Sequence, residues 1–156
     1  MRRDLCIFLD TSALFAAVIS TSGGSREILR LGEAGLVRVT LGPMVLGELD
    51  SVLGRKSPGS RSYVAMLLDR AGVWIGPPGS GEDLERALSV VQYPPDAQIL
   101  AEALAAESTY FVTYDREHLL DNPRIDRLPF PVGTAGDFLA WFRDHGLPGS
   151  GLEETV

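Results

Sequence analysis

The stretch LCIFLDTSAL, residues 5–14, runs five apolar residues straight into a carboxylate and two hydroxyls. A short continuous apolar run beside a turn signal reads as a strand buried on both faces, the kind found inside parallel sheets. Asp10 then stands at the end of a buried strand, where a charge needs a reason. Downstream, strand-like and helix-like segments alternate. A helical stretch begins at Ser12, and after the linker TSGG an amphipathic helix over 25–34 closes at Gly35; Val37 to Leu41 reads as the second strand. In PMVLGELDSVLGRK, residues 43–56, Val45, Leu49, Val52 and Leu53 recur at helical spacing, Glu48 rides on the same helix, and SPG breaks it. A helix over 60–71 stops at Gly72 before the short strand VWIG, GPPGSG is a loop, and 82–91 is helical again. After YPP an Ala-rich helix spans 95–107, and YFVT is a strand leading to Tyr114 and Asp115. A short helix over 117–120, a short strand around 130–132 and a last helix follow, the latter capped by Thr134 with Asp137 three residues on and stopped by Gly146. Strands alternating with helices predict βαβ units, hence an α/β fold with a central parallel sheet and helices on both faces.

With 156 residues, 45% of them hydrophobic, the chain is expected to form one globular domain over 1–146, and the tail LPGSGLEETV, 147–156, reads as disordered. The longest apolar stretches, Leu5 to Leu9 and Ala13 to Ile19, are too short to span a bilayer. Arg2 and Arg3 precede an apolar run that Asp4 and Asp10 interrupt, unlike a signal peptide, so a cytoplasmic location is expected. Cys6 is the single cysteine and makes no internal disulfide; in mid-strand it reads as a small core residue. A formal net charge of −7 argues against holding nucleic acid by a broadly basic face. A metal site escapes that objection, because a bound cation reverses the sign that a phosphate meets.

Ligands of parallel α/β sheets bind beyond the carboxyl ends of the strands. Asp10 ends the first strand and Asp115 follows YFVT, so both are expected at one edge of the sheet. Asp96, in the first turn of its helix, adds a third acid and Glu48 a fourth. Taken singly, each has a plain alternative: Asp10 and Asp115 as helix caps, Asp96 as a helix N-terminal charge, Glu48 as a solvated helix residue. Burying an unpaired carboxylate costs several kcal/mol, about the scale that makes a cap or a cation necessary at Asp10.

DTSAL after the first strand, the helical Glu48 in VLGELDSVLGRK, and PDAQILAEALAAESTYFVTYD together resemble the PIN domain, a family of metal-dependent ribonucleases with a Rossmann-like, three-layer α/β/α fold. The resemblance runs from about Leu5 to His145. It implies that the family's acidic quartet falls on Asp10, Glu48, Asp96 and Asp115, with Ser12 and Thr113 as the supporting hydroxyls. Length and motif style further resemble the toxins of toxin–antitoxin pairs, which implies an antitoxin partner and an RNA substrate. Some relatives carry another acid just upstream of the third position; here that stretch is Tyr93, Pro94 and Pro95. A PIN-like module that binds RNA or protein with weak or no turnover therefore stays open beside the enzyme.

Mg²⁺ and Mn²⁺ prefer hard oxygen ligands and are typically held by a few carboxylates plus substrate phosphate. Four acids without a His or Cys cluster suit either ion better than zinc. Asp10, Asp96 and Asp115 are the preferred ligands, directly or through water, and Glu48 either ligates or orients the attacking water. Such ions activate water and clamp the attacking and leaving oxygens of a phosphodiester. The family resemblance implies products with a 5′-phosphate and a 3′-hydroxyl. A phosphatase of the haloacid dehalogenase type would need a second acid two residues after Asp10, where Ser12 stands.

RKSPGSR gathers Arg55, Lys56 and Arg61 after the Glu48 helix as candidates for gripping an RNA backbone, and Arg116 is another; a solvated charge run accounts for them equally well. His118 and His145 lie near helix ends, where complementing the helix dipole explains them. Trp74, Trp141 and Phe142 are expected in core or dimer packing and Phe15 in the core, while Glu102 reads as a surface acid. The apolar content of the helices over 43–71, with the resemblance, suggests a homodimer.

Overall fold

The computed structural model describes residues 5–145. Five strands form one sheet, β1 (Cys6–Leu9), β2 (Arg38–Leu41), β3 (Trp74–Ile75), β4 (Tyr110–Val112) and β5 (Val132–Gly133). Their order across the sheet is β3-β2-β1-β4-β5, and every pair is parallel. The alternation of apolar runs and amphipathic segments thus yields the expected parallel α/β sheet. β1 sits at its centre, which is why its four residues are all at most 2% exposed. Phe8 pairs in register with Phe111, their rings stacked with centroids 5.6 Å apart, and Phe111 stacks in turn on Phe130 at 6.1 Å.

Among the described residues seven α-helices complete the layers: α1 (Thr11–Ile19), α2 (Gly24–Glu33), α3 (Pro43–Lys56), α4 (Arg61–Arg70), α5 (Gly81–Leu88), α6 (Pro94–Ala105) and α7 (Ala135–His145). α2 packs against α1, α4 and α7, α5 packs against α6, and α3 touches both α1 and α6. Gly35 and Gly72 follow α2 and α4 with φ of +75° and +63°, the left-handed conformation that stops a helix at little steric cost to glycine. α6 ends earlier than its Ala-rich pattern predicts, at Ala105, because Glu107 turns left-handed at φ 53° and hands the chain to β4. Likewise α5 ends at Leu88, and Val90 and Val91 bury themselves beyond it.

The segment predicted as a short helix over 117–120 is a wide turn, Arg116–Leu120, with i to i+5 hydrogen bonds. Thr134 and Asp137 cap α7 reciprocally, each side chain accepting from the other's backbone N–H. The predicted stop at Gly146 and the tail at 147–156 lie outside the described residues. Cys6 is buried, and Phe142 and, in part, Phe15 and Trp141 join the core. Trp74 does not: β3 is an edge strand, so the residue is 41% exposed, with the Arg38 guanidinium 4.5 Å over the ring. No helix among the described residues is long and apolar enough to cross a membrane.

Candidate functional site

β1 and β4 are neighbours, so the residues that follow them meet at one edge of the sheet. Asp10 caps α1: its Oδ1 accepts from the Ala13 N–H at 2.9 Å and from the Ser12 hydroxyl at 2.7 Å. Its Oδ2 accepts from Thr113, the residue after β4. Thr113 Oγ1 also accepts from the Asp115 N–H at 3.0 Å, and Ser12 Oγ from the Tyr114 N–H at 3.0 Å. Two hydroxyls therefore lock the end of β1 to the end of β4. Asp10 is 6% exposed, and burial pushes its carboxyl above the usual range, against the opposing pull of Thr113, Ala13 and Ser12. The cap reading of Asp10 holds, and it does not exhaust the carboxylate, since Oδ2, with one donor, has a further lone pair.

Asp115 caps the wide turn that follows it, with Oδ1 accepting from the His118 N–H at 3.1 Å. That turn swings the His118 ring over the start of α6. His118 Nδ1 lies 2.9 Å from Asp96 Oδ2 and 3.3 Å from Asp115 Oδ2. The approach to Asp96 is close but off the line a hydrogen bond requires, so Asp96 Oδ2 is buried and lacks a hydrogen-bond donor. Burial and then the neighbouring Asp115 charge push Asp96 up to about 6, which His118 partly offsets. Asp96, Asp115 and His118 are the one group of metal-ligating side chains among the described residues whose donor atoms all lie within 4.8 Å of one another.

The histidine corrects the expectation of an all-carboxylate cluster. Helix-end complementarity does not describe it, because its partners are carboxylates on two other segments. Nothing in the local sequence separates His118 from His145, whose Nδ1 instead meets the Trp141 carbonyl at 2.9 Å. The available signal is Asp115 three residues before His118, a spacing that a turn can close. Changing His118 to Gln should leave the two aspartates facing each other without the imidazole between them. Asp96 is then expected to titrate above its present value of about 6, read by carboxyl carbon NMR.

Glu48, half-buried on α3, is held from α1: Thr11 Oγ1 donates to its Oε2 at 2.5 Å. It stands outside the Asp96–Asp115–His118 group and lines a separate cavity of about 540 Å³ with Thr11, Met44, Ser51 and Arg55. Glu102 is not a surface acid. It is 3% exposed, and both of its carboxylate oxygens accept from the Met44 N–H, at 3.0 and 3.2 Å, tying α6 to the first turn of α3. That backbone group needs a partner because Gly42, the residue before α3, has no side chain to cap it.

Arg55 and Lys56 are exposed on the last turn of α3 and not in the following loop. Arg61 begins α4 and is drawn to Asp50, its Nε 3.2 Å from Oδ1. Arg116 is exposed, 3.9 Å from Asp121.

No family profile matches the chain, and no curated protein does. Among solved structures, a chain of the crystal structure of VapBC2 from Rickettsia felis bound to a DNA fragment from their promoter is similar, with a TM-score of 0.61 at 16% identity. The match covers 83% of this chain and 98% of that one. The likeness is one of fold, the PIN-like three-layer α/β/α arrangement.

Proposed function

We propose that this chain is a metal-dependent endoribonuclease, hydrolysing RNA phosphodiesters at the Asp10, Glu48, Asp96 and Asp115 site, and the toxin of a toxin–antitoxin pair. The observation that carries the proposal is Asp96 Oδ2, buried beside Asp115 and without a hydrogen-bond donor, with the His118 ring nitrogen 2.9 Å away. Such an oxygen costs free energy unless a cation meets it. The two carboxylates fit Mg²⁺ or Mn²⁺. Asp96 and Asp115 would hold the ion, Asp10 directly or through water, and Glu48, outside that group, would act through an oriented water. When bound, the ion supplies charge neutralisation at the phosphodiester and a water of lowered pKa.

The chain's own groups supply the rest. Ser12, Thr113 and the Ala13 N–H fix Asp10 in one rotamer, so the free lone pair of Oδ2 is aimed before substrate arrives. Thr11 holds Glu48 where it can orient a water. His118 keeps the Asp96 and Asp115 carboxylates together. Arg55, Lys56, Arg61 and Arg116 are the cations offered to an RNA backbone, Arg61 only after leaving Asp50.

Purified protein is expected to cleave RNA with manganese, leaving 5′-phosphate ends, and to stop when the metal is chelated. Asp10→Asn should lose cleavage while remaining folded. Equal activity in that variant, or none in the wild type with manganese, would overturn the assignment. A second reading, a binding module with weak or no turnover, draws support from His118 on both aspartates and from the missing acid at Tyr93–Pro95. Binding of RNA or protein without cleavage in the same assay would favour it. The likeness to a chain of VapBC2 supports a protein partner of the antitoxin kind. Exposed Tyr63 and Met66 on α4, with Trp74 and Ile75 on β3, support a homodimer, which light scattering would test.

A further inference from the structure

A cavity of about 620 Å³ opens beside the acid cluster, between the segment leading into α6 and the wide turn after β4. Its most prominent feature is a stacked pair of rings: Tyr93 lies on His118 with centroids 4.7 Å apart and planes 18° from parallel. Tyr93 is half exposed, and His118 is the residue whose Nδ1 meets Asp96 and Asp115. The floor is apolar, with Val90 and Val91 each 3% exposed. Asn122 joins the two walls. Its Nδ2 donates to the Val90 carbonyl at 2.8 Å and to the His118 carbonyl at 3.0 Å, while its Oδ1 accepts from the Arg124 N–H at 2.8 Å. The cavity is thus braced by hydrogen bonds across its base and not a gap between mobile loops. Gln92, Glu117 and Arg124 stand exposed at its rim and offer donors and acceptors.

We propose that this cavity, with Tyr93 as its stacking platform, receives a nucleobase adjoining the scissile phosphate of single-stranded RNA. The proposal rests on the ribonuclease reading and deepens it by naming a substrate contact. An aromatic face above an apolar floor, with a mixed polar rim, matches a flat heterocycle with a hydrogen-bonding edge. The volume is in the range that accepts a drug-sized ligand, and a nucleoside is no larger. Stacking also supplies affinity that a chain of net charge −7 cannot draw from a broadly basic face. Its position beside His118 would set which phosphodiester lies against the acids.

The test uses short single-stranded RNA oligonucleotides, with one nucleotide at a time made abasic, the full-length protein and manganese. Tyr93→Ala should raise KM for the intact oligonucleotide roughly tenfold or more, the scale of one lost base stack, and Tyr93→Phe should restore it. At one abasic position next to the cleaved bond, wild type and Tyr93→Ala should become equal. A KM unchanged in Tyr93→Ala, or a defect the same at every abasic position, would overturn the proposal while leaving the ribonuclease reading intact. If the wild type cleaves nothing, the same oligonucleotides are used in equilibrium binding. Loss of affinity in Tyr93→Ala, cancelled by one abasic position, would keep the base site and remove the nuclease assignment. Absence of any RNA binding would remove both, and saturable binding of a peptide in the cavity would replace the nucleobase as its occupant.

Discussion

Asp96→Asn, freed of divalent ions, is expected to unfold at the wild-type temperature or higher near neutral pH, and to gain little when manganese is added. In the wild type, Asp96 holds its proton up to about pH 6, against 3.8 for an unperturbed group, because burial and Asp115 disfavour its charge. Between those values the folded chain binds a proton that the unfolded chain has released. Wild-type stability without metal should therefore fall as pH rises from about 4 through 6, by on the order of 2 kcal/mol. Asp10 is shifted in the same direction and adds to the slope. The Asn variant keeps the shape but carries no such penalty, so urea titrations across that window should show a flatter profile.

With metal the order reverses. A ligand at about one hundred times its dissociation constant stabilises the fold by about 2.7 kcal/mol, most of which a variant with a broken site forfeits. RNA cleavage is expected to fall roughly a hundredfold or more. Glu85→Gln, a change at an exposed acid on α5, should retain both the manganese response and cleavage. A lower metal-free stability in Asp96→Asn, with the manganese shift intact, would make Asp96 a helix-end charge and not a ligand.

The second large effect concerns Glu102 and Gly42. A Cβ at position 42 would stand 2.3 Å from Glu102 Oε1, 2.8 Å from its Cδ and 2.9 Å from its Cβ. No rotation of the buried carboxylate clears all three, so Gly42→Ala should cost about 1–3 kcal/mol by overpacking. Glu102→Ala removes the only side-chain acceptors of the Met44 N–H and opens a void, at a cost of about 2–3 kcal/mol. Against this stands relief of the burial that pushes the Glu102 carboxyl above its usual pKa, which the Met44 N–H opposes and the Glu48 charge reinforces. Glu102→Gln keeps an acceptor and sheds the charge, and should lie within about 1 kcal/mol of wild type. The double change Gly42→Ala with Glu102→Ala removes the Oε1 and Cδ contacts but keeps the 2.9 Å approach of the two Cβ atoms, so its cost should fall short of the sum by about 1 kcal/mol and no more. Chemical denaturation of the four proteins measures this directly; strict additivity would mean that the two residues do not share the space.

The parallel sheet was legible because its cause is local. Leu5 to Leu9, Val37 to Leu41 and Tyr110 to Val112 are runs too apolar and too short for anything but strands covered on both faces. The strand-end positions of Asp10 and Asp115 follow from the same runs, since a strand that stops has its next residue at the sheet edge. Even the pairing of Asp10 with Ser12 is a contact between residues two apart. Boundaries slipped where a long-range contact set them: α6 stops short at the left-handed Glu107, and Trp74 is exposed because β3 lies at the edge of the sheet.

Sequence alone therefore determined the fold class, the ends of the strands and the candidate acids, all consequences of hydrophobic period and chain stops within a few residues. Tertiary structure decided what surrounds those acids. His118 and Asp96 are 22 residues apart and meet only because the turn after β4 folds back over α6, while Glu102 is buried only because α3 begins against the side of α6. Neither has a periodic signature, for a polar side chain looks the same in sequence whether water or another segment satisfies it. Its burial, charge state and partners are properties of the packed helices, which no short window of residues contains.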